Sequence, residues 1–286
     1  MTETVEIKRG FVDLAHGQIH YRHAGSGEPI LTLHASPGSS RQLLSVIGGL
    51  AAGGKVYAPD TPGNGDSVPL FDREPILPEL AEAALRFMDA MGLETVKLYG
   101  SHTGAAIAAE LAILAPERIS HIVLDGVSWL TPEELEDILA NYAFPFVPDQ
   151  DGAHLTRLFQ FCRDQYMFFP WYKRTREGRR DNGLGSAADL HAWALEVMKA
   201  SETYHLNYRA AFKWNARDRL PLVTVPALFM AGENDPLFDI TSELSSTIAG
   251  GRFVALPRFD APNFVDQRHA AITTFFAERS STPTEA

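Results

Sequence analysis

The sequence predicts an α/β fold: a mostly parallel central sheet with helices on both faces and an inserted helical cap. Strand-like and helical patterns alternate along both ends of the chain, which is typical of a parallel sheet covered on both faces. Between Asp125 and Pro226 the alternation stops, and about a hundred residues of helical, aromatic-rich sequence intervene. The length of 286 residues is compatible with one core that carries an insertion.

The first predicted elements form a β-hairpin, with strands at residues 5–14 and 18–24 and a turn at His16 and Gly17. Residues 29–34 follow as a short apolar run of the kind found inside a sheet. The later strand-like runs are residues 55–58, 95–100, 119–125, 227–231 and 252–256. Helical patterns cover residues 77–91 and 103–115, so strands and helices alternate outside the insertion.

Within the insertion, Ser186 predicts the start of a helix because serine is a favoured N-cap. The apolar residues that follow recur at helical spacing and predict one apolar face: Leu190, Trp193, Ala194, Val197 and Met198. Such a face has to pack on another surface. The sequence therefore predicts a core of residues 1–128 and 218–286 and a helical cap of residues 129–217.

The composition, 45% hydrophobic and 21% charged, is that of a globular protein. A formal net charge of -11 opposes binding to nucleic acid or anionic membranes, since such binding depends on Lys and Arg. No segment approaches the ~20 apolar residues that span a bilayer, and residues 1–10 lack the apolar stretch of a secretory signal. We expect a cytoplasmic protein with a small-molecule partner.

Cys162 is the single cysteine, which excludes an internal disulfide and a multi-cysteine metal site and suits a reducing compartment. The histidines of the middle segment show no paired ligand spacing: His121, His154, His191 and His205. We expect neither a metal nor a cofactor.

The strongest local signal is the sequence LYGSHTGA at residues 98–105. An apolar strand runs through a G-x-X-x-G turn into an Ala-rich helix, and the small residues Gly100 and Gly104 permit a sharp turn that lifts the middle side chain into a pocket. The middle side chain is that of His102.

Three further blocks follow a known order. LHASPG at residues 33–38 resembles an H-G-x-P-G loop, PDTPGNGDS at residues 59–67 resembles a P-D-x-P-G-x-G-x-S segment, and GEND at residues 232–235 resembles a G-x-x-D turn. With the turn at His102, these blocks make the chain similar to the α/β-hydrolase superfamily from about residue 10 to residue 276. The resemblance implies the α/β-hydrolase fold, and either a monomer or a homodimer.

The chain departs from that superfamily at the two positions that matter most for chemistry. His102 occupies the position of the nucleophile, and Ala261 falls on the position of the base histidine. Ordinary Ser-His-Asp hydrolysis is therefore not expected. A strained turn is tolerated mainly to expose one side chain, so a titratable group kept there predicts that His102 is catalytic.

The resemblance also assigns roles to other residues. Asp235 matches the acid that orients the base, and Asp125, at the end of an earlier strand, is the alternative acid. His34 is a further catalytic candidate. Ser101 is the hydroxyl beside the turn and the alternative nucleophile, for which His269 would have to act as base.

Ser36 and Thr103 match the positions whose main-chain N–H groups form the oxyanion hole of the superfamily. Aromatic residues of the insertion should roof the pocket, and we assign Trp129, Phe168 and Trp171 to it. The basic run KRTREGRR at residues 173–180 is typical of solvated surface, and the alternative is a clamp for an anionic substrate.

We also predict a direct or water-bridged contact between His102 and Asp235. In the superfamily a histidine bridges acid and nucleophile, and Ala261 leaves that volume empty. An imidazole on the turn reaches further than a serine hydroxyl and can approach the carboxylate itself. The contact would favour the protonated ring, whereas burial would oppose it.

Three functional hypotheses remain. The first is an enzyme that acts on a small carbonyl compound by hydrolysis, C–C bond lysis or cofactor-free proton transfer, with His102 as general base or nucleophile. The second is a non-catalytic binding protein or receptor that has kept the pocket. The third is a serine hydrolase that uses Ser101.

Overall fold

The structure is a computed structural model that describes residues 5–15 and 17–278. Within these residues, eight strands form one sheet in the spatial order β1-β2-β4-β3-β5-β6-β7-β8. The strands are β1 Lys8–Leu14, β2 Gly17–Ala24, β3 Pro29–Leu33, β4 Lys55–Pro59, β5 Val96–Ser101, β6 Ile119–Asp125, β7 Ala227–Gly232 and β8 Arg252–Leu256. The predicted α/β class is confirmed.

The sheet is antiparallel at one edge and parallel elsewhere. β1 pairs with β2, and β2 with β4, in antiparallel fashion, whereas the pairs from β3–β4 to β7–β8 are parallel. The predicted hairpin is present as β1 and β2, although His16 of its turn lies outside the described residues. Because β3 and β5 to β8 run in one direction, the loops after their carboxyl ends meet at one edge of the sheet.

The helices of the described chain are α1 Leu44–Leu50, α2 Leu77–Ala90, α3 Thr103–Leu114, α4 Pro132–Asn141, α5 Ala153–Met167, α6 Ala187–Lys199, α7 Tyr204–Lys213, α8 Ala216–Arg219, α9 Phe238–Leu244 and α10 Phe264–Phe276. Helices α2, α3 and α9 bury residues in one apolar cluster, and α1 and α10 bury theirs in a second. The two clusters lie on opposite faces of the sheet.

The side chains of the strands explain why helices cover both faces of the sheet. Successive side chains of a strand point to opposite faces, and here both faces are apolar. In β5, Leu98 belongs to the first cluster and Tyr99 to the second; in β6, Leu124 belongs to the first and Val123 to the second. Burial on both sides explains why these strands are continuous apolar runs in the sequence.

Helices α4 to α7 form the insertion between β6 and β7, and they have an apolar cluster of their own. Tyr204 and Phe161 are fully buried in it, and the Tyr204 ring stacks on Phe146 with centroids 5.7 Å apart. Ser186 caps α6 by accepting the Asp189 N–H at 3.1 Å, as predicted.

The predicted apolar face of α6 is partly wrong. Leu190, Ala194 and Val197 are buried, Trp193 is partly buried, and Met198 is 39% exposed. Residues 190, 194 and 197 lie on one stripe of an α-helix, whereas residue 198 lies about 100° beyond residue 197. Met198 therefore points past the edge of the packed stripe.

Polar contacts join the insertion to the core near the carboxyl edge of the sheet. The Ser39 hydroxyl donates to Glu196 of α6 at 2.6 Å, and the Asn207 amide of α7 donates to Asn64 at 2.8 Å. Ser39, Glu196 and Asn207 are all buried. None of the helices described here has the length and apolar character needed to cross a membrane.

Candidate active site

The connection from β5 to α3 is a strained turn with His102 at its apex. His102 has φ 50° and ψ -110°, and in the described chain it is the one residue other than glycine with a positive φ. A Cβ on Gly104 would overlap the carbonyl groups of Leu33 and His34. Glycine thus lets the turn pack directly on the loop after β3, and the turn holds the imidazole at the carboxyl edge.

The His102 ring contacts Asp235, as the sequence predicted. His102 Nε2 lies 2.9 Å from Asp235 Oδ2. Asp235 follows β7, where its N–H donates to the Gly232 carbonyl at 2.8 Å and its Oδ1 accepts the Leu237 N–H at 2.8 Å. The carboxylate is therefore fixed by its own loop before it meets the ring.

Each group of the pair favours the charged form of the other. Burial lowers the pKa of His102, but the Asp235 carboxylate outweighs it and leaves that pKa above its usual value. Burial raises the pKa of Asp235, but the His102 ring and the Leu237 N–H outweigh it, and the net shift is downward. Asp235 is therefore ionised at neutral pH.

An ionised carboxylate only accepts hydrogen bonds, so Nε2 of the neutral imidazole carries the proton that faces Asp235. Nδ1 of His102 then holds the free lone pair. The His102 side chain is 38% exposed, compared with 6% for Asp235. The ring is thus held at Nε2 by a buried acid, while its side chain as a whole is partly exposed.

His34 lies in the loop after β3, where the main chain uses both of its ring nitrogens. Nε2 accepts the Thr61 N–H at 2.9 Å, and Nδ1 donates to the Ala35 carbonyl at 2.9 Å. Burial lowers the pKa of His34, which keeps the ring neutral. With no free nitrogen, His34 links two loops.

Ser36 and Thr103 are both buried at the same edge of the sheet. Thr103 is the first residue of α3, so its N–H has no acceptor within the helix. The Ser36 N–H bonds to no carbonyl of the described chain. Each of these positions thus has a main-chain donor available for an oxygen atom of a ligand.

Asp125 and Ser101 belong to a separate polar group behind the turn. Tyr99 donates to Asp125 Oδ2 at 2.6 Å, and Ser101 hydrogen bonds to the same tyrosine side chain. Ser101 and Tyr99 share one side of β5 because they are two residues apart. His269, which a serine hydrolase would need as base, lies instead against Ser45 and Gly49 of α1.

The three aromatic residues that were assigned to the pocket lie in three different surroundings. Trp129 donates to Asn215 at 3.1 Å and stacks with Arg217. The main chain of Phe168 forms an isolated antiparallel β-bridge with Arg179. Trp171 is buried in the apolar cluster of the insertion, where it donates to the Tyr142 carbonyl at 2.9 Å. Each has partners within the insertion or at its junction with the core. Their part in a substrate pocket stays a prediction.

Two residues near His102 were missed in the sequence. Gly126 has φ 77°, and a Cβ on it would lie 2.9 Å from His102 Nε2, so the ring rests against its Cα. Arg180, from the basic run, has its charge close to Asp235 and His102. The position of Gly126, directly after β6, was a signal that the sequence contained. Nothing in the basic run distinguished Arg180 from its neighbours.

One group of residues in the described chain has the composition of a metal site: His20, Asp60 and Asp66. Asp60 already accepts hydrogen bonds from His20 Nδ1 at 2.9 Å, from the Ser40 N–H at 2.8 Å and from the Asp66 N–H at 3.0 Å. Burial would raise the pKa of Asp60, but these donors lower it to about 2. The carboxylate organises the loop after β4.

A cavity of about 480 Å³ lies at the opposite edge of the sheet, where β3, β5 and β6 begin. Glu28, Lys97 and His121 line it. It is remote from the His102 turn, which follows the carboxyl end of β5.

A mostly parallel sheet with a strained strand-to-helix turn at its centre, and an acid after a later strand, defines a class of folds that present one side chain at that turn. The family profile described as alpha/beta hydrolase fold matches residues 28–249. The chain belongs to the α/β-hydrolase fold family.

A curated relative, the 2-hydroxy-6-oxo-6-phenylhexa-2,4-dienoate hydrolase of Comamonas testosteroni, is 36% identical over 119 residues, which cover 40% of this chain and 41% of that protein. The match thus spans about two fifths of that relative's length. A hydrolase from Pseudomonas aeruginosa has a TM-score of 0.71 at 22% identity and covers 97% of this chain and 100% of its own. The enol-lactonase from Burkholderia xenovorans has a TM-score of 0.74 at 18% identity, with 94% and 100% covered. These similar proteins are hydrolases, and the structural likeness shows the fold.

Proposed function

We propose that this protein is an atypical enzyme of the α/β-hydrolase family in which His102 and Asp235 act as a catalytic dyad on a small carbonyl compound. The observation that carries the proposal is the 2.9 Å contact between His102 Nε2 and Asp235 Oδ2 at the apex of a strained turn. The reaction is hydrolysis, C–C bond lysis or cofactor-free proton transfer.

The orientation of the imidazole supports a direct role in chemistry. In a Ser-His-Asp triad the acid holds Nδ1 and leaves Nε2 for the serine. Here Asp235 holds Nε2, so Nδ1 faces away from the acid with its lone pair free. Nδ1 takes a proton from water or from an acidic C–H group, or attacks a carbonyl carbon, while Asp235 stabilises the resulting positive ring.

The negative oxygen that forms in either case needs donors. The N–H groups of Ser36 and Thr103 are the proposed oxyanion hole, and they would hold an enolate or a tetrahedral oxyanion. His34, whose two nitrogens are occupied, holds the loop that carries Ser36 and transfers no proton.

The substrate class follows from the same donors and from the relatives. The Comamonas relative is named for the hydrolysis of an oxo compound, and the Burkholderia protein for the opening of an enol-lactone. Both names denote compounds with a carbonyl group. We propose that residues 129–217 form the cap over this site, because α6 and α7 contact the loops after β3 and β4.

The test is turnover of a panel of esters, lactones and β-diketones, with products identified by mass spectrometry. We expect at least one class to react, and His102→Ala to lower its kcat/KM by about 10²–10⁴-fold, the usual contribution of a positioned acid–base group. Turnover that is unaffected by His102→Ala excludes the dyad. Binding of the panel without any turnover favours a non-catalytic binding protein instead.

Trapping separates the two roles of His102. A nucleophile forms an acyl-imidazole, which rapid acid quench and peptide mass spectrometry would locate on His102. A general base forms no such adduct and shows no burst of the first product.

A further inference from the structure

Arg180 is a positive charge held between the insertion and the His102–Asp235 pair. The main-chain N–H of Arg180 donates to the Met167 carbonyl at 2.8 Å. In its side chain, Nη1 donates to the Gln165 carbonyl at 2.9 Å, and Nη2 lies 3.4 Å from the Asn234 carbonyl. Asn234 directly precedes Asp235, so the guanidinium spans from the insertion to the loop of the catalytic acid. Three main-chain contacts fix its position.

This charge has no carboxylate partner of its own. Within residues 5–15 and 17–278, no acidic oxygen lies within ion-pair distance of Arg180, and the nearby Asp235 is already bonded to His102. The Nε atom is buried and has no hydrogen-bond partner in that part of the chain. A buried donor that stays unmatched costs about 1–3 kcal/mol, so a partner for this atom would be stabilising.

Two other basic residues of the same run, Lys173 and Arg174, differ in this respect. Lys173 pairs with Asp137 at 2.6 Å, and Arg174 pairs with Asp164 at 2.6 Å. Both side chains are about half exposed. Arg180 is thus less exposed than these two residues, and its Nε is buried without a partner in the described chain.

A second buried donor lies beside Arg180. Gln165 is 8% exposed, and its Oε1 lies 3.4 Å from the Tyr208 hydroxyl, which itself lies 3.3 Å from the Tyr142 hydroxyl. With Oε1 accepting from Tyr208, the amide nitrogen Nε2 remains, and it is buried without a partner among the described residues. Gln165 Nε2 and Arg180 Nε are thus two buried donors, on two different segments, that have no partner among the described residues.

We propose that Arg180 and Gln165 form a subsite for a carboxylate group of the substrate, next to the His102–Asp235 dyad. The proposal rests on the proposed function, since it assigns part of the same substrate. A guanidinium and an amide N–H match the planar, two-oxygen geometry of a carboxylate. A dianionic phosphate fits less well, because one positive charge would face two negative charges beside the ionised Asp235.

The chemical class that follows is a small carboxylic acid with a carbonyl group at a second position. Arg180 holds the carboxylate, and the carbonyl lies over Nδ1 of His102. The two ends of such a substrate are fixed by the insertion and by the turn, so the reacting carbon is positioned before chemistry begins.

The experiment measures binding, and it does not need turnover. Benzoate, phenylacetate and 4-phenylbutanoate are each titrated by calorimetry beside the corresponding primary amide, which has the same shape and no charge. We expect at least one acid to bind about tenfold or more tightly than its amide, as hydrogen bonds to a charged group imply. Failure of every acid to bind, or equal affinity for acid and amide, overturns the proposal.

Substitutions identify the residues that cause the preference for the acid over the amide. Arg180→Gln should abolish the difference between acid and amide, Arg180→Lys should keep part of it, and Gln165→Leu should reduce it. Lys173→Gln, from the same basic run, is the matched control and should retain the full difference. If Arg180→Gln does not fold, by circular dichroism and thermal melting, Arg180→Lys and Gln165→Leu carry the test, and an unchanged preference in both overturns the proposal.

His102→Ala separates this inference from the proposed function. The variant removes the reacting group and leaves Arg180 and Gln165 in place. It should still prefer the acid over the amide, whether or not the wild-type protein turns over any compound of the carbonyl panel. If the preference for the acid over the amide is lost in His102→Ala but kept in Arg180→Gln, the proposed subsite is contradicted.

Discussion

Tyr99 donates a 2.6 Å hydrogen bond to Asp125, whereas the His102 ring makes its contact with Asp235. Both acids follow neighbouring parallel strands, β6 and β7, and both influence the ring electrostatically. Burial raises the pKa of Asp125, and its Oδ2 is bonded to the tyrosine. Asp235, whose pKa is lowered, makes the direct contact with His102 Nε2. The side chain of Asp125, the alternative acid, is thus held by Tyr99, and its main-chain carbonyl accepts the His102 N–H at 2.9 Å.

The first prediction is that His102 and Asp235 act as a unit. Asp235→Asn should lower kcat/KM nearly as much as His102→Ala, about 10²–10⁴-fold, and the double variant should be no worse than either. Asp125→Asn is the control, because it changes a carboxylate that does not touch the ring, and its loss should be smaller. Independent, additive losses at residues 102 and 235 would exclude the dyad.

The second prediction concerns the pH dependence of activity. In the proposed dyad His102 reacts in its neutral form, so kcat/KM should rise with pH as the ring loses its proton. Since Asp235 raises the pKa of His102, the midpoint should lie above the ordinary histidine value of about 6.5. Asp235→Asn removes that charge while burial remains, so the midpoint should move to lower pH. A midpoint that is the same in both proteins would show that the profile reports another group.

The third prediction concerns the pH dependence of stability. The raised pKa of His102 stabilises the fold at pH values below the pKa of the unfolded histidine, and this contribution is lost as pH rises through the raised value. The lowered pKa of Asp235 stabilises the fold above the pKa of the unfolded carboxyl, and this contribution is lost as pH falls through the lowered value. The pair therefore contributes most at about pH 4–6.5, between the two unfolded values.

Urea unfolding of the wild type and of Asp235→Asn at several pH values measures this contribution. The difference in unfolding free energy between the two proteins should be larger at about pH 5.5 than at about pH 9, where the His102 ring is neutral. Arg258→Gln is a control for general charge effects, because its ion pair with Asp181 lies at the surface. A difference that grows towards alkaline pH would contradict the assignment.

Much of the fold and part of the site could be predicted from the sequence because they depend on local patterns. The alternation of apolar runs gave the parallel strands, and the flanking glycines identified the turn at His102. The His102–Asp235 contact was predictable from the volume left at Ala261. These inferences needed strand order, side-chain length and little else.

The rest depends on the direction in which side chains point. In the sequence, Arg180 is indistinguishable from Lys173 and Arg174, and only the packed structure leaves its Nε buried and unpaired. The sequence did not show that Trp171 packs among the aromatic residues of the insertion, and its part in a pocket stays a prediction. A pattern of residue types does not specify which face of an irregular segment meets the core.

The fourth prediction is that Ser101 is dispensable. Its hydroxyl is engaged with Tyr99, and His269, the base that a serine hydrolase would need, lies against α1. A serine without a base stays protonated and is a poor nucleophile. Ser101→Ala should keep p-nitrophenyl acetate turnover within about threefold of the wild type, as a change outside the catalytic groups allows. Labelling of Ser101 by a serine-directed phosphonate would contradict this.

The last prediction concerns Gly126, against whose Cα the His102 ring rests. A Cβ at this position would lie 2.9 Å from Nε2 and 3.0 Å from Cδ2 of the ring, so Gly126→Ala should push the imidazole away from Asp235. The residue also has φ 77°, where alanine is strained by about 1–2 kcal/mol whatever surrounds it. Gly250→Ala separates the two effects, because Gly250 has φ 73° and, apart from its chain neighbours, no atom of the described residues lies within 4 Å of the added Cβ. Both variants should lose stability in urea unfolding, with the larger loss in Gly126→Ala, but only Gly126→Ala should lose activity and lower the pH midpoint of kcat/KM. Equal activity in the two variants would show that the ring does not need its place beside Gly126.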